Sequence, residues 1–257
     1  MPTRDEAQTI GRTLRALLEL CDHGLIDQLV VVDDSTDQTP HIARSLGAEV
    51  YSQRELLPEL GRPVGKGDAM WRALHVMRGD IVCFLDADSE DFGPHFPCGL
   101  LGPMLLDPRL SYVKGFYRRP FRTGTETLPR GGGRVTELTA RPLLQLFYPE
   151  LLSVRQPLAG EVAARRELLE RLPFVTGYGV DIALLIDAYR EIGPGAMAQV
   201  DLDVRQNNHQ PLERLGPMAS AVLDSVAVRL AREGRLRDAP PNPPLERPPV
   251  VTLRAAA

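Results

Sequence analysis

The chain is short of cysteine, of long apolar runs and of any large excess of one charge. Three cysteines in 257 residues, Cys21, Cys83 and Cys98, are too few and too scattered for a disulfide framework or a zinc site. They read as core thiols in a reducing cytosol. No segment reaches the roughly 18 consecutive apolar residues of a membrane span, and the start lacks a signal-peptide pattern. A formal net charge of −4, with a pI near 5.8, gives no general attraction for nucleic acid or an anionic membrane. Anion binding must therefore come from local basic clusters. Nucleic acid and membrane are excluded as partners, and a cytoplasmic placement is expected.

With 43% hydrophobic and 25% charged residues, the chain can bury one full-sized core, which fits a single α/β domain over residues 1–257. Residues 29–32 form an apolar run ending in Asp33 and Asp34. A helix-like stretch at 39–46 and a short strand at 49–52 follow, which together read as βαβ. A Gly- and Pro-rich loop leads into a helix at 68–77. The strand at 80–85 then ends in Asp86-Ala87-Asp88, and such near-continuous apolar strands belong to parallel sheets covered on both faces.

Beyond Asp88 the expected elements are a strand at 110–117, a basic glycine-rich loop at 118–134 and a helix at 136–147. Amphipathic helices are expected at 162–172 and 180–192, an alternating strand at 197–204 and a long helix at 217–232. The six prolines of 239–249 suggest an extended tail along the surface. The apolar 217–232 helix points to a homodimer. Met1-Pro2-Thr3 runs into a helical pattern at 6–20, where an α/β fold would begin with a buried strand, so the chain is expected to lack its natural N-terminus.

Phe84-Leu85-Asp86-Ala87-Asp88 is the strongest chemical signal. Two carboxylates one residue apart at the end of a buried strand can converge on one Mg²⁺ or Mn²⁺, which takes hard oxygen ligands and bridges to a nucleotide diphosphate. In open α/β sheets, ligands bind at the strands' carboxyl ends. Asp33 and Asp34 tip a second strand, where a carboxylate can receive hydrogen bonds from a base or ribose. Capping of the next helix explains Ser35, Thr36 and Asp37 equally well. Gly65-Lys66-Gly67-Asp68 combines close backbone approach with a lysine at a helix start, without Walker A spacing.

These motifs, with Pro2-Thr3-Arg4-Asp5-Glu6, resemble the nucleotide-sugar half of a GT-A glycosyltransferase. The later segments Gly133-Arg134-Val135-Thr136-Glu137-Leu138, Gln156-Pro157-Leu158-Ala159-Gly160-Glu161, Gly177-Tyr178-Gly179-Val180-Asp181 and Arg205-Gln206-Asn207-Asn208-His209 resemble the retaining glucosyl- and mannosyl-3-phosphoglycerate synthases. The resemblance spans residues 2 to about 249. It implies a GT-A, Rossmann-like α/β fold, with a mixed central sheet flanked by helices. It also implies a nucleotide-sugar and metal half at 1–109, an acceptor half at 110–238 and a proline-rich tail at 239–257.

By the same resemblance, the donor NDP-hexose is held by Pro2, Thr3, Arg4, Glu6, Asp33, Asp34, Lys66, Asp86, Ala87 and Glu161. The 3-phosphoglycerate acceptor is held by Gly133, Arg134, Val135, Thr136, Arg205 and Asn207. Arg offers a planar fork to an oxyanion, although Arg118, Arg119, Arg122, Arg130 and Arg134 read by themselves as a solvated basic face. The metal falls to Asp86, Asp88 and His209. Asp181 faces the sugar hydroxyls, Lys66 adds positive potential at the phosphates, and the Leu158 carbonyl supports the reacting face. Glucosyl enzymes place the histidine two residues after the arginine, where this chain has Asn207. That shift, with the acidic Ser89-Glu90-Asp91, leans toward a mannosyl or relaxed-donor enzyme. A sugar-nucleotide nucleotidyltransferase and a non-catalytic nucleotide-sugar-binding protein are the rival readings.

Overall fold

A computed structural model of the chain describes residues 1–123, 126–128, 131–206 and 211–254, without the side chains of 122–123 and 126–128. Its first half alternates strand and helix: β1 (Pro2–Thr3), α1 (Ile10–Asp22), β2 (Val30–Asp33), α2 (Thr39–Ser45), β3 (Glu49–Ser52), α3 (Lys66–Ala73), β4 (Ile81–Phe84) and α4 (His95–Leu106). In α1, Ile10, Thr13, Leu14, Leu17 and Leu20 recur at helical spacing and are buried, so one stripe faces the sheet. β1, β2 and β3 form a parallel sheet in the order β1-β2-β3.

Pro2 and Thr3 form an edge strand ahead of the helical pattern. The Met1 ammonium donates to the Val30 carbonyl at 2.7 Å, and Pro2 and Thr3 lie opposite Val32 and Asp33. A two-residue strand carries no readable alternation, so pairing alone defines it. α4, with apolar residues on all sides, gave no helical periodicity and was not foreseen.

The second half holds β5 (Tyr112–Arg118), a β6–β7 hairpin (Phe121–Thr123 with Glu126–Leu128), and a π turn (Thr136–Ala140) running into α5 (Arg141–Phe147). Next come β8 (Val162–Arg165), α6 (Arg166–Arg171), β9 (Phe174–Val175), α7 (Val180–Ile192), β10 (Met197–Val204) and α8 (Leu212–Arg232). The mixed sheet β10-β5-β8-β4 has β5 parallel to β10, while β8 runs antiparallel to both β5 and β4. The expected helix at 162–172 is therefore corrected. Its first four residues form a sheet-centre strand, since Val162, Ala163 and Ala164 are buried between two partners.

Residues 239–245 of the expected surface tail are largely exposed, but the segment after them docks on the domain. β11 (Glu246–Arg247) pairs antiparallel with β9, and α9 (Val250–Arg254) follows. Asp68, fully buried, is held by Arg72 at 3.0 Å and Arg247 at 2.5 Å, and the Trp71 indole donates to the Pro248 carbonyl. α8 starts five residues earlier than expected and carries Pro217 inside it. It packs against α7 and α5, burying Val222, Val226 and Leu230 in its own domain. The three thiols are unpaired, but Cys98 is exposed rather than core.

Candidate active site

A cavity of about 540 Å³ opens at the carboxyl ends of β1 and β4 and is walled by both halves of the chain. Pro2, Thr3, Arg4, Glu6 and Asp34 line one side, and Lys66, Asp86, Ala87 and Asp88 line its acid-tipped floor. Gly133, Arg134, Val135, Thr136, Leu158, Asp181 and Arg205 complete the wall. Residues more than 100 positions apart are thus brought to one space.

The floor is a chain of alternating charges. The Lys66 ammonium lies 2.8 Å from Asp86 and 3.2 Å from Asp181. Arg205 reaches Asp86 at 3.2 Å, pairs with Asp88, and meets Glu161 at 2.6 Å. It also donates to the Tyr117 hydroxyl at 2.8 Å, which in turn donates to Glu161 at 2.9 Å. Burial opposes ionisation of Asp86, yet Lys66 and Arg205 outweigh it and hold its carboxyl well below the usual range. Burial would lower the Lys66 ammonium, but Asp181 and Asp86 push it up. Asp181 is raised, chiefly by burial. Glu6 is pushed up to about 7 by burial and by Asp88.

Close packing builds this floor. A Cβ at Gly160 would lie 2.3 Å from Asp86 Oδ2 and 2.4 Å from Lys66 Nζ, so only glycine lets the 156–160 turn approach the pair. A Cβ at Gly67 would lie 1.8 Å from the Val175 carbonyl oxygen, which seats the start of α3 against β9. That contact aims Lys66 into the cavity.

Two expected donor-site residues sit behind the wall. Asp33 is buried, and its carboxylate accepts from Thr3 Oγ1 at 2.7 Å and from Ser35 at 2.6 and 3.1 Å, so it braces the loop while Asp34 faces the cavity. Glu161 is buried under Arg205 and Tyr117. Asp37 accepts from Thr39 N at 2.9 Å, which favours the capping role there. Among the arginines, Arg118 pairs with Asp203, whereas Arg119 and Arg134 line the cavity and Arg134 stacks over Phe121. Arg130, the Arg122 side chain, Asn207 and His209 lie outside the described residues.

Gln53, Tyr117, Leu215 and Met218, which the sequence reading did not single out, also line the cavity, as does Tyr178 of the 177–181 segment. Tyr117 could have been found from its place at the end of an apolar strand beside a basic loop.

The donor chemistry suits a divalent cation. Asp86 and Asp88 present hard oxygens from one strand end to the cavity, with room for the oxygens of a diphosphate. Among the described residues no group of three His, Cys, Asp or Glu gathers; His209, the expected third ligand, lies outside them.

Residues 1–143 match the model of glycosyl transferase family 2. The glucosyl-3-phosphoglycerate synthase of Petrotoga mobilis is 45% identical over 238 residues, covering 91% of this chain and 73% of that protein. The chain belongs to this family. The mannosyl-3-phosphoglycerate synthase of Rubrobacter xylanophilus has a crystal structure that superposes with a TM-score of 0.89 at 47% identity, covering 98% of this chain and 86% of that one. The Mycobacterium tuberculosis glucosyl-3-phosphoglycerate synthase, solved with Mn²⁺, UDP-glucose and phosphoglyceric acid, gives 0.87 at 42% identity over 98% and 89%. The fold is therefore GT-A, and the protein is a metal-dependent hexosyltransferase of the mannosyl-/glucosyl-3-phosphoglycerate synthase type. Neither the nucleotidyltransferase nor the non-catalytic reading fits this membership. Among the described residues no helix is long and apolar enough to cross a membrane.

Proposed function

We propose that this glycosyltransferase moves mannose or glucose from GDP-mannose, GDP-glucose or UDP-glucose to the 2-hydroxyl of 3-phosphoglycerate, with retention of anomeric configuration. The observation that carries this reading is one cavity with the Asp86–Asp88 pair at its floor and the Arg134–Thr136 segment on its wall.

A divalent cation held by Asp86 and Asp88 supplies charge neutralisation for the leaving diphosphate. Lys66 and Arg205 surround the same carboxylates and add positive potential there. Asp34, Arg4 and Glu6 flank the nucleoside end, and Asp181 orients the sugar hydroxyls. Arg134 and Thr136 hold the acceptor's anionic groups, and Leu158 faces the reacting carbon. Holding the acceptor hydroxyl against the anomeric carbon supplies proximity, a large part of the rate without a strong general base. Glu161 acts from behind, by fixing Arg205.

The reading includes a cytoplasmic homodimer, for which the unpaired thiols and the exposed Leu212 and Leu223 of α8 are the support. Light scattering at micromolar concentration tests the assembly. The activity is tested by offering UDP-glucose, GDP-glucose and GDP-mannose in turn with 3-phosphoglycerate and identifying the product. No hexosyl-3-phosphoglycerate from any donor would end the reading.

A further inference from the structure

β5 carries a lysine where a strand buried in a sheet normally carries an apolar residue. Lys114 is 2% exposed, and alternation along β5 puts it on the same face as Tyr112, opposite Tyr117. Its ammonium donates to the Ala159 carbonyl at 2.8 Å. Burial pushes it down to about 8, against the pull of Asp181. A leucine or methionine would fill that space without the desolvation cost, so the charge has a use there.

The acceptor identifies that use. Ala159 is buried in the 156–160 turn, between Leu158 on the cavity wall and Gly160, which touches Asp86 and Lys66. The turn is tied at its ends by Gln156, which donates to the Tyr117 carbonyl at 2.8 Å, and by the Glu161 carbonyl, which accepts from Gly115 N at 2.9 Å. Lys114 is the side chain that holds its middle, from the side away from substrate. A charge-assisted bond to a main-chain carbonyl fixes the peptide plane, as apolar packing would not.

We infer that Lys114 is a positioning residue for sugar transfer, setting the 156–160 turn so that Leu158 faces the reacting carbon and Gly160 seats the Asp86–Lys66 pair. The inference rests on the hexosyltransferase reading for its effect on turnover, but not for its effect on the turn.

The test compares Lys114→Met, Lys114→Gln and Lys114→Arg with the parent protein. The methionine and glutamine forms remove the donor or leave it too short; having both guards against one that fails to fold. In a folded variant, kcat should fall about 10- to 100-fold while the affinities for nucleotide sugar and 3-phosphoglycerate, by calorimetry, stay within about threefold. Arginine, which keeps a charged donor, should recover part of kcat. Hydrogen exchange should quicken about tenfold or more in a peptide covering 156–161 and stay unchanged in α1 and α7. A purely structural lysine would lower the melting temperature and leave kcat of the folded variant intact. That result, or unchanged exchange in the turn, overturns the inference. Exchange decides it even for a parent protein that forms no hexosyl-3-phosphoglycerate, an outcome that defeats the activity reading alone.

Discussion

Replacing Gly160 by alanine adds one methyl group at the centre of the site. The new Cβ would lie 2.3 and 2.6 Å from the two Asp86 carboxylate oxygens and 2.4 Å from Lys66 Nζ. Ordinary contact begins near 3.5 Å, so the carboxylate and the ammonium must each retreat by roughly 1 Å. The atoms in the way are side-chain ends, and Gly160 is not among the glycines with positive φ, so the backbone tolerates alanine. Stability should change by less than about 1 kcal/mol, with some compensation from the stiffer unfolded chain.

Function should not tolerate it. A displacement of about 1 Å in a positioned catalytic group can cost on the order of 100-fold, or about 2.7 kcal/mol of barrier. The assay is steady-state transfer to 3-phosphoglycerate at saturating Mn²⁺, with Mn²⁺ affinity and the thermal midpoint measured on the same preparation. Turnover and Mn²⁺ affinity within about twofold of the parent would refute the close approach of the turn to the acid pair.

Four further outcomes are expected. Arg134→Ala should raise the Michaelis constant for 3-phosphoglycerate by about 10- to 150-fold, the worth of one charge-assisted hydrogen bond, with nucleotide-sugar affinity nearly unchanged and lysine recovering only part; calorimetry with each substrate separates the two. Arg247→Ala removes one of the two arginines paired with the buried Asp68, leaving Arg72 with the Gln53 amide and Val64 N, and should cost about 3–5 kcal/mol in urea unfolding, where a loss under about 1 kcal/mol would show that the β11 contact adds little to the fold. Gly67→Ala drives a Cβ to 1.8 Å from a backbone oxygen and should unfold the start of α3, visible as rapid hydrogen exchange at 66–73. Glu6 binds its proton up to about pH 7 when folded against 4.5 for the free side chain, so its ionisation weakens the metal-free fold as pH rises through 4.5 to 7. Glu6→Gln should therefore match the parent near pH 4 and exceed it above pH 7 in thermal midpoint.

The acid pair and the lysine at a helix start were legible in the sequence because each lies within a few residues and its chemistry is local, whereas Gly133, Arg134 and Thr136 were singled out only by the family resemblance and by themselves read as part of a solvated basic face. The strands with continuous apolar runs, 30–33 and 81–84, and the helix at 180–192 were legible for the same reason: period and polarity are properties of neighbours. β1 and β8 were not, since a two-residue edge strand and a strand of Val-Ala-Ala-Arg are defined by partners some 30 to 80 residues away. Nor could the sequence say which acids face substrate. Asp33 and Asp34 are adjacent and chemically alike, yet Thr3 and Ser35 take up the first while the second lines the cavity. The same holds for Lys114 and Arg247, which the sequence reading did not single out and which the sheet and the returning C-terminal strand bury beside a carbonyl and a carboxylate. Local pattern named the chemistry of this chain, but burial and long-range pairing decided which groups carry it, because desolvation and partner distance exist only once the chain has folded.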